Sequence, residues 1–321
     1  MIQVGIIGGA GYTAGELLRV LLYHPKVALK FVHSQSQAGR PIAQVHPDLL
    51  GETALHFSQE VDPSIDVLFL CAGHGHSKTF LEKYQFSDDT LIIDLSRDFR
   101  MTSSEHDFIY GLPELNFEQL QQSKRIANCG CFATAIQLAL LPLAAAGQLK
   151  APIHIQAITG STGAGQKAQA TTHFSWRNNN VSVYKTFRHQ HLAEIRQSLQ
   201  QLQADFEQAI YFVPMRGDFA RGIFTNLYTP CDWTTEEAYA RYEAYYANAP
   251  FVHLSRENPH LKQIVNTNKC LIYLEQIDGQ LFIVSILDNL LKGASGQAVQ
   301  NMNIAFGWPQ QLGLQLKAAV F

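Results

Sequence analysis

The stretch IQVGIIGGAGYTAGELLRVLL, residues 2–22, restricts the fold more than any other part of the chain. An apolar run from Ile2 to Ile7 is closed by Gly8, Gly9, Gly11 and Gly15, and the residues after them place Leu17, Leu18, Leu21 and Leu22 on one helical face. This is strand, tight turn, helix. The spacing Gly9-x-Gly11-x-x-Ala14 meets the dinucleotide fingerprint with alanine in last place. Glycine at such a turn lets backbone approach a pyrophosphate, whose charge is stabilised by the amides opening the helix. Gly8, Gly11, Tyr12, Thr13 and Ala14 are therefore the expected cofactor contacts.

Further short apolar runs follow at Val27–His33, Asp66–Cys71 and Thr90–Ser96, of the kind buried on both faces of a parallel sheet. The first half reads as an α/β, Rossmann-type doubly wound parallel sheet. Beyond Pro142 the texture changes. IHIQAI, AIYFV, GIFTNLY, CLIYLEQ and LFIVSIL read as strands, and Asp278-Gly279 joins the last two as a hairpin turn. Helices are expected at 191–206 and 235–247, and KGASGQAVQNMNIAFG reads as a loop leading into a helix. The expected organisation is a nucleotide-binding domain over 1–132, completed by 293–321, and an α+β domain with a mainly antiparallel sheet over 133–292.

Cofactor type is legible at the end of the second strand. An NAD enzyme usually carries an acidic residue there for the ribose 2′-hydroxyl. In its place stands HSQSQAGR, in which Ser34, Ser36 and Arg40 offer donors to a 2′-phosphate, so NADP is the expected cofactor.

Charge and length exclude several classes. The 321 residues carry 24 Lys plus Arg against 27 Asp plus Glu, with no long run of either sign, which argues against a nucleic-acid or membrane surface. The opening segment lacks a basic lead with an apolar core, and no apolar run approaches membrane-spanning length, so a cytoplasmic protein is expected. Five cysteines, Cys71, Cys129, Cys131, Cys231 and Cys270, are odd in number and too sparse for a disulfide scaffold.

The pair in NCGCFATA invites four readings. Zinc would need further ligands at metal spacing, and none stands nearby, so no metal site is expected. A disulfide across one residue would close a small strained ring. Inert burial suits Cys71, Cys129, Cys231 and Cys270. Cys131 differs because a helix-forming run starts there, with Ala133, Ile136 and Leu140 along one face. Unsatisfied amides at a helix start lower a thiol's pKa and favour the nucleophilic thiolate.

GGAGYTAGELL, DLSRDFR, YGLPE, NCGCFATA, TGSTGAGQKA, RHQHLAEI and DNLLKGASGQAVQN stand in the order found in the N-acetyl-γ-glutamyl-phosphate reductase family, of the aspartate-semialdehyde dehydrogenase superfamily, which the chain resembles over nearly its whole length. The resemblance implies an NADPH-dependent reduction of an acyl phosphate to a semialdehyde, with release of phosphate, in arginine biosynthesis. It places the nucleophile on Cys131, forming a thioester, and the general acid/base on His191, with His189 as the alternative. Glu194 is placed to orient His191. Arg100, Thr162 and Arg221 match blocks that border the substrate, alongside His189 and Glu194. Asn289 and Gly293 match positions beside the cofactor. A small-molecule acyl phosphate is the expected partner, and the chain is expected to form a homodimer or homotetramer.

Departures from the family pattern are Cys129 in place of a usual proline, Gln190 in place of an arginine between the histidines, and Ala14 in place of a glycine. None removes a reactive group. Alternatives left open are an N-succinyl or carrier-protein-bound substrate, another phosphorylating semialdehyde dehydrogenase, and an NADPH-binding thiol sensor using Cys129 and Cys131.

Overall fold

The computed structural model describes residues 1–320. In chain order the elements are β1 (Ile2–Ile7), α1 (Tyr12–Leu21), β2 (Val27–His33), β3 (Val67–Leu70), α2 (Ser77–Lys83), β4 (Leu91–Asp94), β5 (Ile109–Gly111), α3 (Pro113–Gln122), β6 (Arg125–Asn128), α4 (Cys131–Ala145), β7 (Ile153–Thr159), α5 (Phe174–Arg177) and β8 (Ser182–Val183), followed by α6 (His191–Leu202), β9 (Ile210–Arg216), β10 (Ile223–Pro230), α7 (Thr235–Tyr245), β11 (Val252–Leu254), β12 (Cys270–Ile277), β13 (Gln280–Leu287) and α8 (Gly296–Ala305). They divide between two compact units, one of residues 1–130 with 294–315, the other of residues 131–293 with the tail from 316.

The first unit is built on a six-stranded sheet in the order β2-β1-β3-β4-β6-β5, parallel throughout. Strands β3 and β4 are buried at every position. Such continuous apolar runs are what a parallel sheet covered on both faces requires. The order reverses between β1 and its two neighbours, and in an open α/β sheet that is where ligands bind, beyond the carboxyl ends of the strands. Helix α8 packs on α1, α3, β4 and β6. Strands β5 and β6 and helix α3 lie beyond the sequence reading, which found four strands here. β5 has only three residues, and β6 is polar at both ends (Arg125 and Asn128), so neither stands out as an apolar run as β3 and β4 do.

The second unit carries a seven-stranded sheet, β11-β12-β13-β10-β7-β9-β8. Four pairings are antiparallel and two, β7 with β9 and β11 with β12, are parallel. The β12–β13 hairpin turns at Asp278 (φ 49°) and Gly279 (φ 77°), two left-handed residues as its Asp-Gly sequence predicts. Strand β10 alternates buried and open residues along its length, so one face of the sheet is covered and the other open.

Helix α4 is the core of this unit. Expected to bury one face, it is buried at every position from Phe132 to Ala144 because α6, α7, β10 and β13 all pack on it. It also contains Pro142, which cannot donate to the Leu138 carbonyl. The hydroxyl of Tyr246 donates to that carbonyl instead, and the Tyr242 hydroxyl donates to Ala139 O at 2.6 Å.

Smaller differences from the sequence reading follow local chemistry. Helix α6 ends at Leu202 rather than Phe206, and the chain then turns with the Phe206 N–H donating to Gln203 O at 3.0 Å. Helix α7 ends at Tyr245 rather than Ala247. The segment Leu291–Ser295, expected as a loop, winds as a π-helical turn that leads into α8.

Candidate active site

In the first unit a cavity of about 690 Å³ opens at the carboxyl ends of β1, β2 and β3. Its walls include Gly8, Ala10, Gly11, His33, Ser34, Ser36, Gln59, Cys71, His76, Phe80, Lys83 and Tyr84. The glycines earn their places here in different ways. Gly8 has a φ of +79°, and a Cβ on it would lie 2.6 Å from the Cys71 backbone. At Gly11 a Cβ would meet only Gly8 O, at 3.6 Å, so the space above it is open. Helix α1 begins immediately after, with no acidic residue in its first turn. An acid-free hollow with a bare backbone floor and a helix start fits the phosphates of a dinucleotide.

The loop is braced from behind. His46 Nε2 lies 2.8 Å from Gly9 O, and its ring fills the space a side chain on Gly15 would occupy. Ala14 is fully buried, Thr13 accepts a hydrogen bond from Ser295 Oγ on its carbonyl at 2.7 Å, and Tyr12 is exposed. The Cys71 thiol faces the Thr13 hydroxyl. Burial, reinforced by the negative charge of Asp94, pushes its pKa up to about 12, so it stays a thiol.

Ser34 and Ser36 line the cavity as expected, whereas Arg40 does not. It sits on the exposed loop beyond β2, with its guanidinium donating to Gln37 Oε1 at 2.7 Å. Arg100, the expected substrate contact, stands at the ends of β4 and β6. It is buried, donating from Nε to Asn128 O (2.9 Å) and from Nη2 to Leu95 O (3.1 Å), and its charge faces Asp94. Desolvation raises the pKa of Asp94, while hydrogen bonds from Ser77 and Ser96 and the Arg100 charge oppose that rise. Arg100 thus ties the ends of β4 and β6 together, just ahead of NCGC.

In the second unit Cys131 is the first residue of α4 and stays half-exposed while the rest of the helix through Ala144 is buried. Gly293 explains part of its surroundings. A Cβ there would stand 2.9 Å from the Cys131 Cβ, so a glycine is required for the two segments to touch. Cys129, by contrast, is 1% exposed.

The next residue, Phe132, packs edge-on against both His189 and His191, at ring separations of 5.6 and 6.4 Å. The two imidazoles are 4.5 Å apart and both are buried. His191 opens α6, so Glu194 falls one turn on, with its Oε1 3.8 Å from His191 Nε2. The His191 N–H donates to His189 Nδ1 at 3.3 Å, which leaves the His189 proton on Nε2. Burial, then the charges of Lys185 and Arg216, hold the His189 pKa down at about 4. His189 is therefore neutral at pH 7.

Tyr184 and Arg216 belong to the same cluster and escaped the sequence reading. The Arg216 guanidinium lies 4.3 Å over the Tyr184 ring. Burial and the negative charge of a Cys131 thiolate both push the Tyr184 hydroxyl far above its ordinary pKa. No local pattern marks either residue, since both are brought in by the pairing of the short strand β8 with the end of β9.

The remaining expected contacts form a clamp around two loops. Asn289 accepts from Gly222 N (2.7 Å) and donates to Thr162 Oγ1 (3.0 Å), and Thr162 donates in turn to Ala220 O (2.6 Å). Arg221 pairs with the fully buried Asp288, through Nε at 3.1 Å and Nη2 at 3.0 Å. Among the described residues no group of three His, Cys, Asp or Glu side chains stands ready for a metal ion.

The semialdehyde dehydrogenase NAD binding domain family matches residues 3–123, and the semialdehyde dehydrogenase dimerisation domain family matches residues 131–289. The N-acetyl-gamma-glutamyl-phosphate reductase of Christiangramia forsetii is 54% identical over all of both chains, and that of Phocaeicola vulgatus 56%. This chain belongs to the N-acetyl-gamma-glutamyl-phosphate reductase family. The fold of this reductase family is shared with distant solved structures. Aspartate semialdehyde dehydrogenase II of Vibrio cholerae superposes with a TM-score of 0.74 at 16% identity, covering 96% of this chain and 98% of that one. The Candida albicans aspartate semialdehyde dehydrogenase, solved with NADP, gives 0.71 at 14%, covering 95% and 98%. Within this reductase fold His189, His191 and Glu194 form one cluster, packed on Phe132, the chain neighbour of Cys131, and the glycine cradle with Ser34 and Ser36 forms another.

Proposed function

We propose that the chain reduces N-acetyl-γ-glutamyl phosphate to N-acetylglutamate 5-semialdehyde and phosphate, using NADPH, as a step of arginine biosynthesis. The observation that carries this reading is full-length identity above one half to reductases of that name, in a chain whose one half-exposed residue in α4 through Ala144 is the cysteine at its start. The thiolate of Cys131 attacks the acyl carbonyl, and phosphate departs to leave a thioester on the sulfur. The amides that open α4 point toward the sulfur end of the helix and stabilise negative charge on the sulfur and on the carbonyl oxygen. NADPH, held by Gly8, Gly11, Ser34 and Ser36, supplies hydride when bound.

Proton handling falls to His191. A group with a pKa of about 4 is a poor acid at neutral pH, which disfavours His189 and leaves it the task of holding its neighbour. Glu194 steadies the His191 imidazole from one turn further along α6. His191 protonates the oxyanion to a hemithioacetal hydroxyl and then takes that proton back as the oxygen's electrons re-form the carbonyl, which expels the thiolate and frees the aldehyde.

The second unit presents a further surface on the open face of its sheet. Tyr211 and Tyr228 are 40% and 37% exposed, and His154 packs between them at ring separations of 5.1 and 5.0 Å. A second copy of the chain seated on this face forms the homodimer, in keeping with the dimerisation-domain match. Sedimentation of a Tyr228→Asp variant as a monomer would support this, and an unchanged dimer would refute it. No helix among the described residues is long and apolar enough to cross a membrane. None of the five cysteines is in a disulfide, in keeping with work in the cytoplasm.

The test of the reaction is NADP reduction by N-acetylglutamate 5-semialdehyde, run with and without phosphate. Turnover that requires phosphate and prefers this aldehyde over aspartate semialdehyde is expected. A preference for aspartate semialdehyde would overturn the assignment.

A further inference from the structure

The cavity of the first unit lacks the cation that the loop after β2 was expected to provide. Arg40 faces solvent with Gln37, and no other arginine lines the walls. Lys83 is the one lysine among the lining residues, and no aspartate or glutamate stands among them. It is the last residue of α2, far from Ser34 and Ser36 in sequence, but it lines the same hollow. Its ammonium lies 5.1 Å from the Tyr84 ring centroid and has no carboxylate within ion-pair distance among the described residues. Its charge is felt on the β2 side of the hollow, where it lowers the pKa of His33 in addition to the larger effect of burial.

We propose that Lys83 is the specificity-determining residue of this cavity, binding the 2′-phosphate of NADPH opposite the hydroxyls of Ser34 and Ser36. The proposal rests on the reading that the cavity holds the nucleotide. A 2′-phosphate brings close to two negative charges into a space without acidic walls. Two serine hydroxyls hydrogen-bond that group but leave its charge uncompensated, and an unpaired ammonium reaching the same space neutralises part of it. NADH carries a neutral hydroxyl there and gains nothing from the lysine. The residue therefore separates the two cofactors without touching the pyrophosphate or the nicotinamide.

Binding, rather than turnover, tests this. Titrations of NADPH, NADH, 2′,5′-ADP and 5′-AMP are compared for the parent, Lys83→Met, which keeps an apolar stem, and Lys83→Arg. Lys83→Met is expected to weaken NADPH and 2′,5′-ADP about tenfold or more, with NADH and 5′-AMP shifted less than about twofold, and Lys83→Arg to restore the difference. Equal weakening of all four ligands, or no weakening of 2′,5′-ADP, would overturn the assignment of Lys83. Gly11→Asp separates the two claims. Its backbone φ is −77° and its Cβ points into open space, so the fold accepts it, and its carboxylate repels any phosphate in the hollow. Loss of both NADPH and NADH in Gly11→Asp supports the cavity as the nucleotide site. Retention of both would overturn that reading and the lysine with it.

Discussion

Acid should destabilise this protein through His189 in particular. The imidazole is packed among Phe132, Tyr184, His191 and Phe212, at ring separations of 5.6, 5.7, 4.5 and 5.5 Å, with the Lys185 and Arg216 charges nearby. Burial is the larger cause and the two cations the smaller in holding its pKa at about 4, against 6.5 for the free side chain. The sign follows from proton counts. Between these two values the unfolded chain binds a proton at position 189 and the folded chain does not, so stability falls as pH falls. At pH 7.5 the effect is negligible. At pH 5.0 the unfolded imidazole is almost fully protonated and the folded one about one-tenth protonated, which amounts to about 2 kcal/mol. Below pH 4 the loss levels off at about 3 kcal/mol. His189→Asn keeps an acceptor for the His191 N–H and removes the titration. Urea unfolding at pH 7.5 and 5.0 should show the parent losing about 2 kcal/mol more than the variant over that interval. Parallel losses in the two proteins would refute the claim that His189 is held neutral by its surroundings.

Two substitutions test the framework around the sites. Gly8→Ala forces a Cβ to within 2.6 Å of the Cys71 backbone at a φ of +79°, and should cost at least about 2 kcal/mol in thermal unfolding and abolish NADPH binding. Unchanged melting would show that the cradle is not as tight as described. Tyr246→Phe leaves the Leu138 carbonyl without its donor and should cost about 1–2 kcal/mol, whereas in a Pro142→Ala background, where residue 142 regains an N–H, the same change should cost less. Additive losses in the double variant would contradict that account of the helix.

Local signals account for what the sequence made legible. The strand-turn-helix at Ile2–Leu21 and the Asp278-Gly279 hairpin are each specified by residues a few positions apart, and both stand as expected. Strand β5 has three residues and β6 is polar at both ends, so neither leaves an apolar run. The all-round burial of α4 follows from neighbours far along the chain, so its apolar composition alone could not separate one buried face from four. The same distinction runs through the sites. Ser34 and Ser36 follow directly on β2 and were readable, but the cavity's lysine comes from α2 and Arg40 turns away. Arg100 and Asn289 look like ligand donors in sequence, and what sequence does not show is that each also braces its surroundings, Arg100 through the Asn128 and Leu95 carbonyls and Asn289 through Gly222 N and Thr162 Oγ1. Tyr184 and Arg216 meet only because β8 pairs with β9.

The central claim is that the sulfur of residue 131 carries the acyl group. Mixing the protein with N-acetyl-γ-glutamyl phosphate in the absence of NADPH, quenching in acid and mapping the modified peptide by mass spectrometry tests it directly. A hydroxylamine-labile acyl adduct on Cys131, absent from Cys131→Ser and never on Cys129, is the predicted result. An adduct on another residue, or full phosphate-dependent turnover by Cys131→Ser, would contradict it.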